Sequence, residues 1–175
     1  DEINKTVRTV VPASNIYSRY IKRLIDIIIS LLVLIITSPI NLVILIITAL
    51  TLGRPIFFKQ ERIGKDGKPF YIVKFRNMTN ETDENGELLP PSERVTKCGK
   101  FLRKTSLDEL LNFWSILKGD MSLIGPRPLL PEYTHRYNTR HVQRLAVRPG
   151  LECPPRDLTD HMWTWQEQLE NDIWY

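Results

Sequence analysis

Between Asp26 and Arg54 the chain carries no charge at all: residues 27–53 read IIISLLVLIITSPINLVILIITALTLG. Roughly 20 consecutive apolar residues suffice to cross a bilayer, whereas a secretory leader has an apolar run of about 7–15 ending in a small-residue cleavage site. This run is too long and lacks such a site, so it reads as a retained membrane helix. A chain of 175 residues could not cover a core helix that is apolar on every side. Pro39 stands in the middle, after Thr37 and Ser38, and predicts a break, because proline removes a backbone donor and crowds the preceding turn. Helices over 27–37 and 40–52 would each be about 16–20 Å long, about one leaflet deep. Basic residues flank both ends: Arg19, Lys22 and Arg23 before, Arg54, Lys59, Arg62 and Lys65 after. The positive-inside rule then puts both ends in the cytoplasm, which a helix–break–helix hairpin satisfies. A kinked spanning helix is the alternative that the residues alone leave open. Ser38 and Asn41 are placed to satisfy carbonyls freed at a break.

The formal net charge of +4 and pI near 9.1 favour anionic partners: nucleic acid, acidic head groups or phosphorylated substrates. No nucleic-acid-binding motif accompanies that charge. With 42% hydrophobic and 25% charged residues the chain is not disordered. Cys98 and Cys153 cannot make a disulfide framework or a zinc site, which fits a reducing compartment.

Past the apolar run, IFFKQERI and FYIVKFR flank GKDGKP and predict a β-hairpin. Residues 80–94 read as a polar surface loop, and 97–104 as a short basic stretch. TSLDELLNFWSILKGDMS predicts one amphipathic helix with Leu107, Leu110, Leu111, Trp114, Ile116 and Leu117 on its apolar side, ended by Gly119. Pro126, Pro128 and Pro131 predict a stiff extended loop, 132–145 a helix, and Arg148-Pro149-Gly150 a turn. Thr164-x-x-Glu167 is a capping-box pattern that opens a C-terminal helix. Trp163, Trp165, Trp174 and Tyr175 fit either a membrane interface or a core. The chain starts at Asp1 rather than Met and stops inside this aromatic cluster, as a processed or excised chain would.

Ser106-Leu107-Asp108-Glu109 admits two readings. Ser-x-x-Glu is a capping box, and acidic residues complement the dipole of a first helical turn. The same geometry binds phosphate and keeps an aspartate ionised, as a carboxylate nucleophile requires. A divalent ion would then be needed to bring that carboxylate to an anionic phosphate. Arg62, Arg76, Arg103, Arg127 and Arg148 are each able to grip phosphate bidentately. Arg127 stands out because prolines flank it, and a stiff loop loses little entropy on binding. His135, His141 and His161 form no metal-binding pair and read as surface or core residues. Nucleotide-binding glycine loops and nucleophile elbows are absent.

In order along the chain stand Ser38-Pro39, Pro55, Gln60-x-Arg62-x-Gly64, Lys74-Phe75-Arg76-x-Met78 and Arg103-Lys104-Thr105-Ser106-Leu107-Asp108-Glu109-Leu110. Lys118-Gly119-Asp120-Met121-Ser122, Gly125-Pro126-Arg127-Pro128 and Arg148-Pro149-Gly150 follow. This series, from about Tyr20 to Gly150, resembles the bacterial sugar transferase family, the monotopic polyprenol-phosphate phosphoglycosyl transferases. The resemblance implies an α+β monotopic membrane protein. An N-terminal flank (1–19) would precede a re-entrant helix (20–54) broken at Ser38-Pro39. A catalytic domain (55–175) would follow, with interfacial amphipathic helices and a small antiparallel β-hairpin, at the cytosolic face of the bacterial inner membrane.

It also implies a reaction. A UDP-sugar gives its phosphosugar to a polyprenol phosphate, expected to be undecaprenyl phosphate, releasing UMP and initiating lipid-linked glycan assembly. The course would be ping-pong through a covalent phosphosugar on Asp108, with Glu109 as partner and Mg²⁺ contacting Asp108. Arg127 would bind phosphate, with Arg148, Arg103, Arg76 and Arg62 as further candidates. The partners would be the UDP-sugar, the polyprenol phosphate and membrane lipid, not nucleic acid. The chain departs from the family pattern at Leu151-Glu152-Cys153-Pro154-Pro155-Arg156-Asp157, which leaves the sugar open. That departure is the one support for an alternative, a membrane-anchored module that binds nucleotide-sugar or lipid phosphate without turnover. Residues 1–20 hold no spanning helix, as expected of a small member or an excised catalytic domain.

Overall fold

The computed structural model of the chain describes residues 9–156 and 163–175. The N-terminal flank is therefore seen only from residue 9, and Asp157 and His161 lie outside the described residues. A π-helical turn, Tyr17–Ile21, leads into α1, Lys22–Leu52. Next come β1 (Phe57–Ile63) and β2 (Pro69–Phe75), then α2 (Pro91–Arg94), α3 (Lys97–Lys104) and α4 (Asn112–Lys118). β3 (Ser122–Ile124), β4 (Gly150–Glu152) and α5 (Trp165–Trp174) complete the order. Two compact units share these elements: among the described residues, 9–30, 61–71, 114–156 and 163–175 make the first, 31–60 and 72–113 the second. α1 and the β1–β2 hairpin contribute residues to both.

α1 is built inside out. Asp26, Ser30 and Thr48 are among its buried residues, whereas Ile28, Leu32, Ile35, Ile36, Val43 and Leu50 are exposed. A helix on a water-soluble core shows the reverse pattern, so this one is made for an apolar solvent. It is the one element among the described residues long and apolar enough to cross a membrane. The helix expected to break at Ser38-Pro39 is a single assigned element with Pro39 inside it. The reason lies one residue earlier. Proline at 39 leaves the carbonyl four residues back, Ile35, without its N–H partner, and the Ser38 hydroxyl donates to that carbonyl at 2.8 Å. Asn41 does not reach a freed carbonyl; its amide donates to Thr37 Oγ1 at 3.2 Å.

In the first unit, the start of α1 is fastened by its charges. Arg23 donates to the Ile116 and Leu117 carbonyls at 2.6 and 2.8 Å, capping the C-terminus of α4 where Gly119 turns at positive φ. The buried Asp26 carboxylate accepts from the Ser122 hydroxyl at 2.8 Å and the Leu123 N–H at 3.0 Å. β3 and β4 pair in parallel, Ser122 opposite Gly150 and Ile124 opposite Glu152. The turn expected at 148–150 is thus the entry to a strand. Segment 132–145 is not an α-helix but two 3₁₀ turns, Pro131–Arg136 and His141–Ala146. Asn138 interrupts it, its side-chain oxygen taking the Arg140 and His141 N–H groups at 3.0 and 2.7 Å. α5 starts where expected, with the Thr164–Glu167 capping box complete. Of the terminal aromatics, Trp165 packs against Tyr133 with ring centroids 5.1 Å apart and planes tilted by 45°, while Trp174 is exposed.

In the second unit, Ile44 of α1, Phe75 of β2 and Leu102 of α3 form a core, with Leu45, Ile56, Cys98, Leu107 and Leu111 packed on it. Thr96 caps α3, accepting from the Gly99 N–H at 2.9 Å. Segment 106–119 is not one helix: α3 ends at Lys104 with Thr105 as its C-cap, a 3₁₀ turn spans Leu107–Glu109, and α4 begins only at Asn112.

The two short strands of the first unit meet through glycine. A Cβ on Gly150 would overlap the backbone of Gly125, and one on Gly125 would sit 2.6 Å from the Arg148 carbonyl oxygen. Overpacking of this kind costs about 1–3 kcal/mol. Gly150→Ala is expected to lower stability by about that amount or more. Chemical denaturation of detergent-solubilised protein checks it, and an unchanged midpoint would refute the close approach.

Candidate active site

The second unit holds the acidic pair. Asp108 and Glu109 ride on the 3₁₀ turn Leu107–Glu109, not at the start of an α-helix. Ser106 makes no cap hydrogen bond; it sits in the left-handed region at φ 54° and its N–H reaches back to the Arg103 carbonyl at 3.3 Å. It therefore ends α3 rather than starting a helix, in a role usually given to glycine. The helix-terminus phosphate site and the Ser106–Glu109 capping box expected from sequence are both replaced by this tight turn. The turn tips the two carboxylates into different surroundings. Asp108 is 6% exposed, while Glu109 is half-exposed and takes the Lys74 ammonium at 2.6 Å. A partly exposed pair of this kind is worth about 1 kcal/mol at most, so it locates Lys74 beside the turn more than it stabilises the fold.

Asp108 has one side-chain donor among the described residues, the Asn77 amide at a long 3.4 Å. The Asn77 amide oxygen accepts from Arg103 at 2.9 Å. Asn77 is thus interposed between the guanidinium and the carboxylate and keeps them from pairing directly. α3 comes close enough because Gly99 lies on the Asn77 carbonyl, where a side chain would overlap it. Burial raises the Asp108 carboxyl above the usual aspartate range, against the opposing pull of the Lys74 and Arg103 charges; the neighbouring Glu109 charge raises it further. A buried, weakly donated carboxylate flanked by cations is a suitable nucleophile toward phosphorus, because few hydrogen bonds must break before it attacks.

The arginines divide. Arg103 is exposed and stands beside Asn77 in the same unit as the dyad. Arg76, just past the end of β2, donates instead to the Leu52 carbonyl and caps the C-terminus of α1. Arg62, Arg127 and Arg148 belong to the first unit. Arg62 donates to the Pro128 carbonyl at 3.1 Å. Arg127 and Arg148 are exposed, Arg127 between the buried Pro126 and Pro128. Sequence reasoning passed over Lys74 and Asn77 as site residues. Both lie in the Lys74–Met78 stretch, but only the turn at Ser106 brings the dyad to them.

Among the described residues no three His, Cys, Asp or Glu side chains gather as a ready cage for a metal. Mg²⁺ does not need one: it is held by one or two carboxylates, with water and substrate phosphate oxygens completing its octahedron. Asp108, buried and short of donors, fits as that single carboxylate. The atypical segment after Gly150 is tied to α5. The Asn171 side chain donates to the Pro154 carbonyl at 3.0 Å and accepts the Arg156 N–H at 2.6 Å. Burial pushes the Cys153 thiol up to about 12, so it stays protonated at neutral pH.

Known proteins carry the same pattern. The model of a family described as bacterial sugar transferase matches residues 17–175. An uncharacterized sugar transferase, EpsL, of Bacillus subtilis is 43% identical over 155 residues, covering 89% of this chain and 77% of the relative. A Klebsiella pneumoniae UDP-glucose:undecaprenyl-phosphate glucose-1-phosphate transferase is 41% identical, covering 88% of this chain but 35% of its own length. A Salmonella typhimurium undecaprenyl-phosphate galactose phosphotransferase is 34% identical over 90% of this chain and 34% of its own. The chain thus spans about a third of these two larger relatives.

The raised carboxyl of Asp108 fixes a sign. The folded state binds the Asp108 proton more tightly than the unfolded state. The stability this contributes is therefore complete below the ordinary aspartate value of 3.8 and is lost as pH rises through the raised one. Asp108→Asn is expected to melt higher than the parent at pH 7, with the gap closing toward pH 4. Thermal melts at the two pH values check this, and a variant less stable at pH 7 would contradict the burial argument.

Proposed function

Since the chain belongs to the bacterial sugar transferase family, we propose that it moves a sugar phosphate from a UDP-sugar to a polyprenol phosphate, with undecaprenyl phosphate as the acceptor. It is a phosphoglycosyl transferase. The observation that carries the mechanism is the buried, under-donated Asp108 beside Lys74 and Arg103. In the first step an Asp108 carboxylate oxygen attacks the phosphorus that bears the sugar. The P–O bond to the neighbouring phosphate breaks and UMP leaves with the bonding pair. In the second step an oxygen of the polyprenol phosphate attacks the same phosphorus, expels the Asp108 carboxylate, and forms the polyprenyl diphosphate sugar. Two sequential displacements let a water-soluble donor and a lipid acceptor use one carboxylate in turn.

Glu109 holds Lys74 in place, so that the ammonium faces the charge that builds on the departing phosphate. Arg103, kept off Asp108 by Asn77, is free for a phosphate oxygen, and exposed Arg127 and Arg148 are the phosphate ligands of the first unit. Arg62 and Arg76, spent on backbone carbonyls, act through the segments they hold. Mg²⁺ held by Asp108 and phosphate oxygens would offset the repulsion between carboxylate and diphosphate.

For α1 the basic residues at both of its ends support a re-entrant rather than a spanning anchor. Its start is fastened in the first unit through Lys22, Arg23 and Asp26, and its end in the second through Ile44 and the Arg76 contact to Leu52. With basic flanks at both ends, the protein sits on the cytosolic face of the bacterial inner membrane.

UMP release should appear with one of UDP-glucose, UDP-galactose or their N-acetyl counterparts, in the presence of Mg²⁺ and undecaprenyl phosphate. Asp108→Asn should lower it roughly a thousandfold or more. Without acceptor, one equivalent of UMP should appear, and the peptide containing Asp108 should gain the mass of the sugar phosphate. Turnover in the variant would remove Asp108 as nucleophile. For topology, single cysteines at Ser14 and Lys59 should both label in inverted vesicles and neither in right-side-out ones; opposite sidedness would mean a spanning helix.

A further inference from the structure

The first unit contains a polar cluster that the catalytic carboxylates do not use. Loop 125–130, Gly-Pro-Arg-Pro-Leu-Leu, is poor in donors because two of its residues have no N–H. Its carbonyls are nonetheless taken in succession. Pro126 accepts from the Gly150 N–H at 2.9 Å and Leu129 from the Ile63 N–H at 3.1 Å. Arg62 donates to Pro128 at 3.1 Å, and Arg144 to Arg127 at 2.6 Å. Arg144 is 3% exposed. Its Nε and Nη2 hold Asp172 Oδ2 at 2.9 and 2.6 Å, and its Nη1 meets the Tyr137 hydroxyl at 3.0 Å. The Asp172 carboxyl accepts in turn from the Arg127 backbone N–H. Both polar atoms of the Arg127 backbone therefore end on one buried ion pair, while its side chain is exposed.

A buried ion pair is a poor way to gain stability, since desolvation offsets most of the attraction and apolar replacements are often no worse. What it supplies here is direction: a planar fork reaches a carboxylate, a hydroxyl and a carbonyl at fixed angles. We propose that the Arg144–Asp172 pair is the positioning device for Arg127, holding its backbone so that the guanidinium is presented to the donor diphosphate already ordered. This rests on the reading of Arg127 as a phosphate ligand. Neither Arg144 nor Asp172 touches substrate. Asp172 lies on α5, so the C-terminal helix, started by its own capping box, becomes part of donor recognition.

The test compares Arg144→Lys, Tyr137→Phe and Arg127→Ala in the full chain, in lipid nanodiscs. The readouts are KM and kcat for UMP release and hydrogen exchange at the Arg127 amide. Lysine keeps the charge against Asp172, but its single nitrogen cannot also hold Tyr137 and the Arg127 carbonyl. Arg144→Lys should raise KM for the UDP-sugar about tenfold with kcat little changed and speed exchange at the Arg127 amide. Tyr137→Phe, which unpairs no charge, should move both in the same direction but less, and it decides the matter if Arg144→Lys does not fold. Parental KM and exchange in the folded variants, beside an impaired Arg127→Ala, would overturn the proposal. If Arg127→Ala releases UMP normally, the phosphate-ligand reading fails instead, while faster exchange at the Arg127 amide still supports the positioning of that backbone.

Discussion

The interaction on which much of this chain depends is a guanidinium seated on backbone carbonyls. Arg23 closes the end of α4, Arg76 the end of α1, Arg94 reaches the Leu89 carbonyl at 2.7 Å, and Arg62 and Arg144 hold the proline loop. Helix ends leave carbonyls without partners, and a proline-rich loop supplies acceptors without donors. A long side chain with five N–H groups is the economical remedy. The excess of positive charge is therefore only partly an affinity for anions. Sequence alone treats every arginine as a possible phosphate ligand; the fold separates those spent on carbonyls from Arg103, Arg127 and Arg148, whose guanidinium groups face solvent.

How far the sequence could be read follows the range of the interactions. The hairpin around Gly64–Lys68 and the Thr164–Glu167 capping box are decided by residues a few positions apart, and both were legible. So was the inside-out character of α1, because twenty-seven uncharged residues leave no other solvent. Ser106 was misread although its motif is local. Two local rules compete there: Ser-x-x-Glu starts helices, but the chain also needs a left-handed residue to end α3. The core contact of Leu102 with Phe75 and Ile44 fixes where α3 must stop, and that is not visible in the ten residues around Ser106. The β3–β4 pair was missed for a plainer reason: two three-residue strands some 28 positions apart carry no periodic signal. Gly125 and Gly150, noted in the sequence only as motif members, are where the two backbones touch.

Pro39 shows how a rule can be right about the conflict and incomplete about the outcome. The missing donor is real, but Ser38 supplies a hydroxyl to the one carbonyl affected, and helical hydrogen bonding resumes on both sides. In an apolar solvent an unsatisfied carbonyl is more expensive than in water, which is why a serine beside a proline in a membrane helix is more than a polar blemish. The charged residues of α1 obey the same logic. Asp26 lies at the edge of the apolar run and is buried against Ser122 and Leu123 rather than left facing lipid.

The two polar clusters named in the proposed mechanism, each within its own unit, are built in opposite ways. On the carboxylate side the chain accepts instability: a left-handed serine, a buried acid with one long side-chain donor, and an asparagine bonded to both that acid and Arg103. On the Arg127 side it accumulates order, with the backbone of the loop bonded atom by atom. A nucleophile gains from being poorly satisfied before attack, since each hydrogen bond it holds in the ground state adds to the barrier. A phosphate ligand gains from the reverse, since entropy lost on binding is entropy not lost beforehand. Under the proposed mechanism, the satisfied and unsatisfied polar atoms along Asn77–Glu109 and Gly125–Asp172 divide between a carboxylate that reacts and a loop that holds.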